Sequence, residues 1–110
     1  MIEPTQVFSD NLVRLPSIDG VARIDLRDEA GAVAASIENQ PGKKGSLAVY
    51  HYLQQAFGRL DAAAAHHGLL LFGEHTADAR QRPGAHPNID RLLGIVAGGA
   101  PLAIDIVRAG

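Results

Sequence analysis

Between Val21 and Arg27 the chain alternates strictly, with Ala22, Ile24 and Leu26 on one parity and Arg23, Asp25 and Arg27 on the other. Successive side chains of a strand point to opposite faces, so this run fits a sheet with one buried and one wet face. Ala32 to Glu38 repeats the pattern, with Val33, Ala35 and Ile37 sharing a face. Asp28 to Gly31 between the two runs has the composition of a turn, and together they predict a hairpin. A third run, opened by Pro101, puts Leu102, Ile104 and Ile106 on one face. A lone strand leaves its backbone groups without partners, so this last run must join the hairpin. The expected class is α+β, one domain over residues 1–110. It is a small three-stranded, mostly antiparallel sheet covered on one face by three to five helices.

The helices are read from spacing and caps. Phe8, Leu12 and Leu15 predict a short helix over Thr5 to Arg14, closed by Pro16. Ser46 is placed to cap a helix whose buried stripe is Leu47, Tyr50, Leu53 and Phe57, with Gly58 just past its end. On that helix His51 falls on the face of Gln54 and Gln55, which reads as solvent. Asp61 caps an alanine-rich helix that stops near Gly68. A further helix runs from about Leu69 to Arg82, ended by Pro83 and Gly84. Asn88 caps a last one, with Ile89, Leu92, Leu93 and Val96 on its apolar face.

Composition then excludes several functions. Apolar residues are 46% and charged residues 20% of the 110, which is globular rather than disordered. No cysteine is present, so disulfides, thiolate metal sites and a cysteine nucleophile are out. That absence fits a reducing cytoplasm. The start, Met1-Ile2-Glu3-Pro4, lacks the basic and apolar regions of a signal peptide, and no apolar run approaches the ~20 residues of a membrane span. The formal charge of −2 gives no global field for nucleic acid or anionic lipid. The expectation is a cytoplasmic protein with no membrane, nucleic-acid or organic-cofactor partner.

Two segments can carry chemistry. Gln40, Gly42, Lys43, Lys44, Gly45 and Ser46 bring the chain's only two lysines to a helix start, where free amides favour an anion. The order of residues is not that of a P-loop, and the preceding strand pattern argues against the helix–GXXG–helix of a KH domain. The second segment holds His75, Asp78, His86 and Asp90. His75 and Asp78 share a helical face, and Asp78 stands four before Arg82 in the order that favours an ion pair. The four could bind a divalent metal or serve acid–base chemistry, but no zinc spacing is present, so no tightly bound zinc is expected.

The stretch Ile37 to Tyr52 (Ile-Glu-Asn-Gln-Pro-Gly-Lys-Lys-Gly-Ser-Leu-Ala-Val-Tyr-His-Tyr), with Glu74 to Arg80 (Glu-His-Thr-Ala-Asp-Ala-Arg) and His86 to Leu92 (His-Pro-Asn-Ile-Asp-Arg-Leu), resembles a family of short bacterial proteins classed as a domain of unknown function. The resemblance covers nearly the whole chain. It implies a bacterial, stand-alone protein and assigns no activity, substrate or catalytic residue. The residues themselves favour a binding domain for a small anion or a partner protein, through Gln40 to Ser46 and the His75/His86 region. An enzyme using His75, Asp78, His86 and Asp90 is the second reading. A homodimeric module joined by a sheet edge, Ala32 to Glu38, or by a helix face is the third.

Overall fold

A computed structural model describes all 110 residues. In chain order they form α1 (Phe8–Leu12), β1 (Val21–Arg27), β2 (Val33–Glu38), α2 (Lys44–Phe57), α3 (Ala62–Leu71), α4 (Glu74–Gln81), α5 (Pro87–Val96) and β3 (Ala103–Arg108). The strands make one antiparallel sheet in the order β2-β1-β3. The class expected from the sequence is the one observed.

The central strand is β1, so the run guarded by arginines is not an edge; β2 and β3 are the edges. Ile24 stands opposite Ile37 and Ile106, and Leu26 opposite Ala35 and Ile104, which makes an apolar ladder under the helices. Asp28 fixes the hairpin turn by accepting from the amides of Ala30 and Ala32, 2.9 and 3.0 Å. Gly31 supplies the positive φ, +85°, that the turn requires.

The outer face of the sheet is polar but not uniformly wet. Asp25 is buried there. It accepts from Ser36 Oγ at 2.7 Å and from Arg23 Nε at 3.0 Å, and these bonds hold its carboxyl below the usual range. Arg27 Nε reaches Asp105 on β3 at 3.2 Å. The two aspartates face each other across β1 and β3, and each has its own arginine.

Helix α2 touches all three strands and α3; of its expected stripe it buries Leu47, Tyr50 and Leu53, while Phe57 is half-buried. Because it is enclosed on more than one side, it also buries Val49, Tyr52 and His51. His51, expected in solvent, is only 3% exposed, and its Nδ1 has no hydrogen-bond partner. Asp61 caps α3, accepting from the Ala64 amide at 3.0 Å. The helix does not stop at Gly68 but runs on to Leu71, because that glycine serves packing: a Cβ there would lie 2.9 Å from both Leu53 Cδ1 and Leu92 Cδ1. The stretch Leu69 to Arg82 is not one helix. Phe72 and Gly73 break it, with Gly73 at φ +58° pressed against the backbone of Gln6 and Phe8. In α5 the N-cap position belongs to His86, and Pro87 occupies the first turn, where a missing N–H costs nothing; Asn88 is already helical. Its buried face is Ile89, Leu92 and Ile95, with Val96 exposed. The first helix is shorter than expected, Phe8 to Leu12. It is tied down by the buried Asn11, whose Nδ2 donates to the carbonyls of Thr5 and Leu71 at 2.9 Å each.

Candidate functional site

The turn after β2 begins to coil early. The Lys43 amide donates to the Gln40 carbonyl at 3.0 Å, and Lys43 already has φ −119° and ψ −5°. The helix therefore starts at Lys44 with Lys43 at the N-cap position, and Ser46, expected as the cap, lies inside the first turn. No side chain caps α2 and no acidic residue stands in its first turn. The first amide of the helix to find a backbone acceptor outside it is Leu47, on the Lys43 carbonyl at 3.0 Å. The amides of Lys44, Gly45 and Ser46 are left without one, the usual condition of a helix start. Lys44 Nζ donates to Asn39 Oδ1 at 2.9 Å, while Lys43 makes no hydrogen bond with its side chain.

On the far side of the molecule's sequence, Asp78 sits at the centre of a charged knot. Arg82 grips both its oxygens, with Nε to Oδ1 at 2.9 Å and Nη2 to Oδ2, and His86 Nε2 meets Oδ2 at 2.6 Å. The Arg82 bonds first, and the His86 bond second, hold the Asp78 carboxyl far below the usual range. Asp90 turns away from this knot and accepts from the Gly84 amide at 2.9 Å, which closes the Pro83–Ala85 loop.

Phe8 joins the two regions. Its ring stacks on Phe72 at 5.5 Å and takes the edge of His75 at 5.2 Å; His75 in turn lies 5.9 Å from the ring of His86. The start of α2 presses on the same ring: a Cβ on Gly45 would be 3.0 Å from Phe8 Cζ. Phe8 is itself anchored, its amide donating to Glu74 Oε1 at 3.0 Å. The result is one cleft of about 610 Å³, within the range of small-ligand sites. Lys43, Lys44, Gly45 and Ser46 form one wall, and His75, His86 and Arg91 another. Phe8, Phe72 and Ile89 supply apolar surface between them. No carboxylate lines it.

Arg91 is held without a counter-ion. Its Nη1 donates to Tyr50 Oη at 3.0 Å and to Asn88 Oδ1 at 2.9 Å, and its guanidinium lies 5.7 Å above the Tyr50 ring. Tyr50 Oη donates onward to the Asn88 carbonyl at 2.6 Å. Burial pushes the Tyr50 hydroxyl up to about 12, against the pull of Arg91, so it stays a neutral donor.

Of the residues expected from sequence, Gly42, Lys43, Lys44, Gly45, Ser46, His75 and His86 thus meet in the cleft. Gln40 is not part of its lining, Asp78 stands behind His86, and Asp90 serves the loop. Sequence reasoning missed Phe8, Phe72 and Arg91. Arg91 carried a usable signal: no acidic residue stands three or four positions away on its helix, so it has no local counter-ion. No three histidine, aspartate or glutamate side chains come close enough to share a metal ion.

A family model matches residues 8–106, which includes every residue of the cleft lining. The chain belongs to that family, described as uncharacterised protein conserved in bacteria (DUF2322). No curated protein and no solved structure matches it. The resemblance read from Ile37 to Tyr52, Glu74 to Arg80 and His86 to Leu92 is therefore to the right family, and membership assigns no chemistry to the cleft. No helix is long and apolar enough to cross a membrane.

Proposed function

We propose that this bacterial family member is a binding domain whose cleft holds a small anion bearing an apolar group. The observation that carries the reading is the imbalance of the lining: Lys43, Lys44 and Arg91 are cationic, none of them is paired with a carboxylate, and no carboxylate lines the cleft. A cationic cleft with walls of low polarity focuses its field on an anion. The unbonded amides at the start of α2 add donors at one wall, and Phe8, Phe72 and Ile89 favour an apolar part of the ligand.

The test is calorimetric titration with inorganic phosphate, benzoate and phenyl phosphate. Wild type is expected to prefer phenyl phosphate. Lys43→Ala/Lys44→Ala and Arg91→Gln are each expected to weaken it by about tenfold or more, the worth of one charge-assisted hydrogen bond. Equal affinities in wild type and both variants would overturn the reading.

The 2.6 Å bond between His86 and Asp78 favours a second reading, in which His86 moves a proton on a bound substrate. Against it stands Arg82, which already engages both oxygens of Asp78 and makes that carboxylate a weak partner for an imidazole. Hydrolysis of p-nitrophenyl phosphate or acetate that disappears in His86→Gln would support it.

A further inference from the structure

The cleft touches the sheet in an unusual way. Ser36 and Ile37 both line it, yet they are consecutive residues of β2. Consecutive side chains of a strand point to opposite faces. Here Ser36 reaches Asp25 on the outer face, and Ile37 is buried in the core. A cavity that meets both residues meets the strand at its edge. That edge is open, since β2 has a neighbour, β1, on one side only.

The backbone groups on that edge follow from the ladder. The Asn39 amide donates to the Ala22 carbonyl at 3.0 Å, so Asn39 faces β1. In an antiparallel ladder alternate residues face the same side, so Ile37 also faces β1 while Ser36 and Glu38 face away. The Glu38 carbonyl is taken by the Gln40 amide at 3.0 Å, which leaves the Glu38 N–H and both backbone groups of Ser36 open. Towards the other end of β2 the register slips, with Ala35 opposite Leu26 but Val33 opposite Arg27. This bulge blunts the edge at Ala34 and confines usable pairing to the end nearest the cleft.

An extended chain laid along this edge and parallel to β2 runs towards the Gln40–Lys43 turn. There it meets the start of α2 and the free cation of Lys43. The lining there sets the direction: a parallel chain brings its C-terminal carboxylate to the lysines, whereas an antiparallel one brings an ammonium to a cationic wall. The charge complementarity noted above then acts on a terminus: Lys43, Lys44 and Arg91 face it and no carboxylate opposes it. The apolar surface of Phe8, Leu12 and Phe72 lies beside the same path and receives an apolar side chain.

We propose that the cleft binds the C-terminal tail of a partner polypeptide. The tail adds to β2 at Ser36 as a further parallel strand, with its free carboxylate held at Lys43 and the amides of Gly45 and Ser46. This rests on the reading of the cleft as an anion site and names the class of anion. Strand addition and carboxylate capture are both known ways for a protein to read a peptide end.

The test screens a library of random hexapeptides with free carboxyl ends against the whole protein, then resynthesises the best binder in three forms: free acid, C-terminal amide, and acid N-methylated at each backbone position in turn. The amide is expected to bind at least about tenfold more weakly than the acid. One or two N-methyl positions are expected to lose binding, and hydrogen exchange of the Ser36 and Glu38 amides is expected to slow in the complex. Phosphate or benzoate binding without any peptide binder would overturn the tail proposal and leave the anion site standing. Equal binding of acid and amide, or unchanged exchange at Ser36, would overturn it as well. Peptide binding lost in Arg91→Gln but kept in the amide form would mean that an acidic side chain, not a terminus, is read.

Discussion

His51 is the residue where composition and environment disagree most. Counted along α2 it shares a face with glutamines, and that face reads as solvent. In the fold it is buried with Nδ1 unpartnered, because α2 packs against the sheet as well as against α3. Which polar residue a doubly packed helix buries depends on its neighbours in space, and spacing alone does not contain them. Burial first, and the charge of Arg108 second, push the His51 imidazole below its ordinary 6.5. A histidine held neutral in the native state takes up its proton in the unfolded state first, so stability is lost as pH falls through 6.5 towards the lower native value and is flat above. His67 is shifted in the same direction by burial, so it adds to the slope. The aspartates act in another window. Asp25 and Asp78 are held below their ordinary 3.8, and the stability they contribute is lost only as pH falls below that value. Urea midpoints followed from pH 8 to 5 are expected to fall below about 6.5 in wild type, and to fall less in His51→Leu, which keeps the volume and removes the orphaned nitrogen. At pH 8 the variant is expected to be at least as stable, since an unsatisfied buried group costs about 1–3 kcal/mol. An unchanged slope in the variant would assign the dependence to other groups.

At the scale of elements, the strands were legible and the helix ends were not. Period-two alternation survives in β1 because one face meets helices and the other meets water and ion pairs. Glycine misled at Gly68 because the same residue can end a helix or let another helix come close, and the sequence does not distinguish the two. The cleft shows the same limit. Its two walls were each marked, by the lysine pair and by the histidines, but their meeting depends on Phe8, which no motif marks. The reading of Gly68 as a packing residue has a paired consequence. Gly94 lies within α5 with open space where a Cβ would be, so Gly94→Ala is expected to stabilise by about 1 kcal/mol through helix propensity. Gly68→Ala gains the same propensity but drives its methyl to 2.9 Å from two fully buried leucines. Overpacking costs about 1–3 kcal/mol, so the net effect is expected to be neutral to destabilising by about 2 kcal/mol. Chemical denaturation of both variants checks the pair. Stabilisation of the two by the same amount would show that α2, α3 and α5 leave room for a methyl group at Gly68.

For the whole molecule the open question is self-association, and the fold changes which surface to expect. The sequence pointed to two surfaces, the β2 edge, because Ala32 to Glu38 is nearly uncharged, or a helix face. The bulge at Ala34 leaves only the groups of Ser36 and Glu38 available for pairing. A few edge hydrogen bonds, each worth about 1 kcal/mol net, do not offset an association cost of roughly 4–15 kcal/mol. The same groups border the cleft, so a dimer through them would also exclude its ligand. The helix side offers more. Val7 and Val13 flank α1, and Leu70 stands on α3, which packs against α1; they are 45%, 83% and 48% exposed. Exposed apolar side chains on adjoining elements are the commoner basis of a homodimer than a short strand edge. We therefore propose that any homodimer forms through the α1–α3 side. Light scattering across a wide concentration range is expected to show a mass that rises towards two chains. Leu70→Lys is expected to hold it at one chain, and Ala34→Lys to leave it as in wild type. The reverse pattern would return the interface to β2 and put dimerisation in competition with the cleft. A mass of one chain at every concentration would remove the dimer altogether.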